Sequence, residues 1–204
     1  INTFDLAQHR EKVALGFDYG QDFYGAIVKY SQEDKTGHKS ASLVSPSPIN
    51  FGQPIDATTK QFDAGINFSG QNWLTELSYL GSVYENHIDH LSLPYANDVY
   101  SAAPDNQAHQ VSLSGQYNIN RTFMNGRIVT GRMIQDDNLI QMTGNPLQNW
   151  DGQVDTLDGR FALTSMLTNR LRLGGSIDYS KRDNKSSTAE FAQYRPITSD
   201  RRLY

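Results

Sequence analysis

The sequence predicts an all-β chain, an antiparallel up-and-down transmembrane β-barrel contributing about eight strands. Short polar turns at Gly20–Asp22, Gly70–Asn72, Asn118–Arg121 and Thr168–Arg170 recur roughly every fifty residues. Each turn is flanked by two runs in which apolar and polar residues alternate, the period of a sheet with lipid on one face and water on the other. Between the hairpins lie longer polar stretches, at about 35–60, 85–106, 135–156 and 183–204. Short turns at one end and long loops at the other are the asymmetry of bacterial outer-membrane barrels, whose turns face the periplasm and whose loops face the exterior.

The first hairpin sets Val13, Leu15, Phe17 and Tyr19 against Ala14, Gly16 and Asp18, then Tyr24, Ala26, Val28 and Tyr30 against Gly25 and Lys29. In the second, Phe62, Ala64, Ile66 and Phe68 oppose Asp63, Asn67 and Ser69, and Trp73, Leu77, Tyr79 and Val83 oppose Glu76, Ser78 and Ser82. Leu80 breaks that alternation. The third opens with Val111, Leu113, Gly115, Tyr117 and Ile119 on one parity and Gln110, Ser112, Ser114, Gln116 and Asn118 on the other, about the length a tilted strand needs to cross the bilayer core. Its partner resists, because the odd positions from Phe123 carry Val129 and Met133 but also Arg127. An arginine facing lipid near the midplane costs about 2–4 kcal/mol, so a bulge at Asn125–Gly126 is expected to reset the parity. In the fourth hairpin Leu157, Phe161, Leu163 and Leu167 oppose Asp158, Arg160 and Thr164, then Leu171, Leu173, Ile177 and Tyr179 oppose Arg172, Ser176 and Asp178. The aromatics gather near strand ends, as interfacial girdles do.

Composition fits this class. Mean hydropathy is -0.59 and hydrophobic residues make up 37% of the chain, and no apolar run approaches the length of a spanning helix. A barrel tolerates such a polar average because only alternate residues meet lipid. The 11 Tyr, 9 Phe and 2 Trp exclude a disordered tail. With no cysteine the chain has no disulfide framework and cannot covalently hold a c-type haem. A net charge of -4 without a basic run argues against nucleic acid as a partner. The chain begins at Ile1 without a signal peptide and so reads as a processed or excised end, while Ser199–Arg202 before Tyr204 lacks the alternation of a final strand.

Candidate chemistry is sparse. Glu85, His87, Asp89 and His90 cluster in one loop, and His87 and His90 are weak metal candidates because a His-x-x-His pair outside a helix has no fixed geometry. Asp136 and Asp137 are adjacent in a strand and point to opposite faces, which is wrong for acid–base work. No nucleophile elbow or phosphate loop is present, so the reading is of a non-enzyme with no catalytic, cofactor or firm metal residue. An outer-membrane barrel enzyme of the lipase or acyltransferase type is a second alternative, and a soluble β-sandwich or lipocalin-like binder a third. Inner-face charges are assigned to Asp18, Lys29, Asp63, Glu76, Arg132, Asp158, Arg160, Arg172 and Asp178. They either line a filled lumen or pair with one another in a narrow barrel.

Pro104-Asp105-Asn106-Gln107-Ala108-His109, running into the strand Gln110–Tyr117, resembles the MtrB/PioB family of decahaem-cytochrome-associated outer-membrane proteins. Gly131-Arg132-Met133, Gln135-Asp136-Asp137, Val154-Asp155-Thr156, Tyr179 and Arg182-Asp183-Asn184-Lys185 keep the family's order. The likeness is specific over 104–188 and rests on hairpin rhythm over 1–103. Members of that family form a wide barrel and are much longer, usually with a cysteine pair near the N-terminus, so the chain resembles a segment of one: a single barrel section of four hairpins. The resemblance implies a porin-like sheath in the bacterial outer membrane that holds a periplasmic decahaem c-type cytochrome in its lumen and docks an outer-surface multihaem cytochrome at its long loops. The haems then belong to the partners, and Asp63, Glu76, Arg132, Asp158, Arg160, Arg172 and Asp178 face the lumenal one. The first alternative is a stand-alone small barrel or general porin without a redox partner; eight strands closed on themselves leave an interior just filled by side chains.

Overall fold

The computed structural model describes residues 5–43, 49–92, 99–138 and 149–187. The strands are β1 (Gln8–Gly20), β2 (Tyr24–Leu43), β3 (Ile49–Ser69), β4 (Trp73–Asn86), β5 (His90–Ser92), β6 (Val99–Ser101), β7 (Asn106–Ile119), β8 (Thr122–Asn138), β9 (Asn149–Met166) and β10 (Arg172–Asn184). Eight of them form one antiparallel up-and-down sheet in the order β1-β2-β3-β4-β7-β8-β9-β10, and β5 and β6 make a small separate hairpin in the β4–β7 connection. The sheet is open: among the described residues β1 and β10 each have one unpaired edge.

The four tight turns fall where polar, turn-favouring residues interrupt the alternation. Gly70 donates its amide to Trp73 O at 2.9 Å, closing the β3–β4 turn. The β7–β8 turn is Asn120-Arg121, and Asn120 takes a left-handed φ of 52°, a conformation asparagine tolerates better than branched residues do. The expected 183–204 loop beyond residue 187 lies outside the described residues.

The strands run well past the apolar alternation. β2 continues to Leu43 and β3 starts at Ile49, so most of the 35–60 stretch expected as loop is paired strand; β8 and β9 likewise extend to Asn138 and from Asn149. Outside the bilayer, pairing needs backbone hydrogen bonds and compatible cross-strand neighbours, not an apolar face, so the sequence alternation fades before the strand does. Here the neighbours are polar: Ser42 Oγ donates to Asn50 Oδ1 at 2.6 Å and Thr58 Oγ1 to Asp34 Oδ1 at 2.6 Å. β4 ends at Asn86 opposite Ala57, so the part of β3 holding Pro54 is an edge, where a missing amide is tolerated.

The register assigns every side chain to a face. One face carries Leu15, Tyr30 and Phe62, then Leu77, Leu113, Ile128, Phe161 and Ile177. These are exposed, Leu15 by 71% and Ile177 by 72%, which in water would be untenable over so wide a surface and in lipid is the ground state. Tyr24, Phe68, Trp73 and Tyr117 edge this band on the turn side, and Tyr30, Phe62 and Tyr79 on the loop side. Phe62 and Tyr79 rings stand 6.1 Å apart. The outward apolar face separates this wall from a soluble binder, whose apolar face turns inward.

The band does not follow the hydrogen-bonded rows. The row through Gly16 at the middle of the β1 band reaches Arg182 in β10, whereas the β10 band, Leu173 to Tyr179, is centred on Ser176, six residues nearer the turns. The strands therefore cross the membrane at a slant, roughly 30° for that drift at ordinary strand spacings.

Candidate functional site

The opposite face is polar and is the only broad candidate surface the wall offers among the described residues. Six of the seven residues expected to face the lumen share it: Asp63, Glu76, Asp158, Arg160, Arg172 and Asp178. Asp18 and Lys29 lie there too. One hydrogen-bonded row crosses it as Asn67, Glu76, Ser114, Arg127, Arg160 and Asp178. Ser78 and Ser112 share a hydrogen bond at 2.7 Å, Ser180 Oγ donates to Asp158 Oδ1 at 2.6 Å, and Arg160 Nε lies 3.5 Å from Asp178 Oδ1. Leu80 sits on this face between Asp63 and Gln110, which explains its break in the alternation.

Arg132 is not among them. The β7–β8 and β8–β9 registers run without interruption, so no bulge occurs at Asn125–Gly126. Arg127 takes the polar face directly, and Arg132, five residues on, takes the parity of Ile128 and Thr130. Sequence reasoning erred because Phe123, Val129 and Met133 made the odd positions of β8 look lipid-facing. Val129 is instead packed among its neighbours at 7% exposure, and Met124, Gly126 and Ile128 face out. Arg132 escapes the cost of lipid by lying just beyond the band, where it grips Asp155 through Nε at 2.8 Å and Nη2 at 3.3 Å. Arg127 was the polar-face residue the parity argument left unassigned to a role.

The loop-side rim is also polar. Lys60 Nζ meets Glu85 Oε2 at 2.7 Å, and the His87 ring pairs with Asp56 at 2.8 Å. The two weak metal candidates are thus separated in use: the His87 ring is hydrogen-bonded to Asp56 and His90 opens β5. Among the described residues no group of three or more His, Cys, Asp or Glu side chains is placed to hold a metal ion. Beyond the membrane-spanning stretch, Thr58 and then Gln32 donate to Asp34 and hold its carboxyl below the usual carboxylate range.

Pro104–His109 connects the β4–β7 loop to β7. Asp105 Oδ1 accepts from the Asn86 amide at 2.7 Å, and Asn86 Nδ2 donates to Ala103 O at 2.7 Å, so the end of β4 and the entry to β7 are tied together. Tyr84, Ile88, Leu91 and Ala57 line a cavity of about 170 Å³ beside this tie. Burial pushes the Tyr84 hydroxyl up, and Asp105 adds to the shift. Asn106 Nδ2 reaches Pro104 O at 3.4 Å, Gln107 contacts the His109 ring at 3.4 Å, and Ala108 pairs with Ser82. Asp105→Ala is expected to cost roughly 1 kcal/mol, the worth of such a bond to an amide, and to do so locally. Hydrogen exchange over residues 86–106 should quicken while the unfolding midpoint of the barrel stays within error; a global shift would contradict a local anchor.

The outward apolar band, the polar inner face and the loop-side rim describe a section of an outer-membrane wall, and comparison with known proteins agrees. The model of a family described as an outer membrane beta-barrel porin, MtrB/PioB, matches residues 1–200. The chain is 38% identical over 208 residues to the outer membrane protein MtrB of Shewanella baltica (strain OS185), a match covering 95% of this chain and 30% of that protein.

Proposed function

Because the chain belongs to the MtrB/PioB family of outer-membrane β-barrel porins, we propose that it forms part of a sheath that lets a redox protein cross the outer membrane. The polar face holds a periplasmic decahaem c-type cytochrome in the lumen, and the loop-side rim docks a multihaem cytochrome at the cell surface. The observation that carries this reading is the open eight-stranded wall, polar on one face and apolar on the other, with both edges unpaired among the described residues. In hydrocarbon an unpaired strand edge costs several kcal/mol for each unsatisfied group, so further strands must flank β1 and β10. A wall extended in this way encloses a lumen wider than side chains fill.

The physical need for such a sheath is plain. Haem propionates and polar backbone cannot enter lipid without a large desolvation penalty, whereas a wall with this pair of faces offers them a polar surface. The wall supplies no redox chemistry; the partner's haems do. Barrel sections with β2 and β3 of 20 and 21 residues, about twice the span of a bilayer, also project well above the membrane and give a surface partner something to rest on.

Purification of the full-length protein in mild detergent tests the proposal. A haem-staining polypeptide should co-elute in fixed proportion and survive gel filtration. A clean barrel that conducts ions as an open pore would make the protein a general porin instead.

A further inference from the structure

We propose that Arg127 and Arg160 form a carboxylate-binding subsite on the polar face, and that it anchors an acidic patch of the protein held in the lumen. This rests on the sheath reading and names the chemistry of its contact. The two arginines are direct cross-strand neighbours on β8 and β9. Like charges in that position repel and destabilise the pair of strands unless something anionic lies between them.

The wall itself relieves this only in part. Asp178 lies opposite Arg160 on the far side, but at 3.5 Å with both side chains about two-thirds exposed (66% and 64%), a weak pair. Among the described residues no hydrogen bond or ion pair reaches the Arg127 guanidinium, and its other cross-strand neighbour is Ser114. Arg127 and Arg160 also stand in the walls of two adjoining hollows of about 410 and 300 Å³; the first is lined by Asp158 and Asp178 as well, whereas the second, which receives the anion, adds the carboxamides of Gln116 and Asn125 and no carboxylate. Two planar guanidinium forks beside amide donors suit a carboxylate, which takes paired hydrogen bonds in that geometry.

The occupant is a protein side chain because the surface faces away from lipid and because the charge pattern continues beyond the pair. Toward β1 the balance reverses, with Asp63 and Glu76 against Lys29 on neighbouring strands. A basic flank and an acidic flank on one curved wall fix the rotation of a lumenal protein, which turns its acidic side to β8–β10.

The test uses the full-length protein purified with its haem-staining partner. Arg127→Gln with Arg160→Gln should raise partner loss in a salt wash by about tenfold, as removal of desolvated charge contacts does, while the mobility of the unboiled barrel on gels stays that of the folded form. Arg127→Lys should recover part of the retention. In a separate measurement that leaves both arginines in place, Ser114→p-benzoylphenylalanine should photocrosslink to a partner peptide rich in Asp and Glu. Equal retention by the double variant, or a crosslinked peptide without acidic residues, overturns the subsite and leaves the sheath standing. A wild-type protein that retains no haem-staining partner removes the sheath and the subsite together.

Discussion

Ile128→Arg will cost about 2–4 kcal/mol of stability, the penalty for an arginine at the lipid-facing midplane of a barrel. Ile128 is 57% exposed and lies in a row with Leu77 and Leu113, between the two aromatic girdles. No carboxylate shares that row of the face, so the new charge has nothing to pair with and must drag water or headgroups toward the bilayer centre. Ser176→Arg, on the exposed polar face of β10, carries the same charge at a similar depth and is expected to change stability by less than about 1 kcal/mol. Urea unfolding of both variants of the full-length protein in lipid vesicles measures the difference. Equal costs would mean that the two faces do not differ in environment, and a larger cost for Ser176→Arg that they had been assigned the wrong way round.

Gly81→Val comes next, with an expected loss of roughly 1–2 kcal/mol from a broken hydrogen bond and a lost ring contact. Gly81 lies on the apolar face between Phe62 and His109 in the register. The Tyr79 ring folds over it, so that a Cβ there would stand 2.7 Å from the Tyr79 hydroxyl and 3.2 Å from the ring. From this seat the hydroxyl reaches His109 Nδ1 at 2.8 Å and the two rings stack at 6.3 Å. Tyr79 can swing away from a valine, which limits the cost to what the ring gives up. His109→Ala removes the same bond without crowding and should cost somewhat less. If the glycine variant unfolds at the wild-type denaturant midpoint, the ring does not depend on the open position beneath it.

Much of this wall was legible in the residues. Hairpins with short polar turns and strict alternation, such as the run from Val111 to Ile119, announce their partner, their register and their faces at once, because a one-residue slip would move every side chain across the sheet. Two features escaped. β8 carries apolar residues on both parities, so alternation cannot choose a face there; only the registers with β7 and β9 show that Val129 packs among polar neighbours and Ile128 meets lipid. The extended ends of β2 and β3 escaped because pairing outside the membrane leaves no apolar trace, and Gly52 and Pro54 within β3 mimic a loop. The polar face was readable as a set of charges but not as a pattern. That Arg127 abuts Arg160 depends on the register of β8 with β9, two strands not joined by a tight turn, which no local signal reports.

The slant of the strands sets how much circumference each one would add to a closed ring. At about 30° of tilt each strand adds roughly 5.5 Å of circumference. Eight strands closed on themselves would make a cylinder of about 7 Å backbone radius, which side chains fill. A compact domain of about 100 residues has a radius of gyration near 13 Å and so a diameter of about 34 Å. Adding the inward reach of side chains on both sides calls for a backbone diameter near 45 Å and a ring of about twenty-five strands. By that measure this section is close to one third of the arc that a lumenal domain of that size would require, and the six-residue drift of the apolar band sets how much of it each strand supplies.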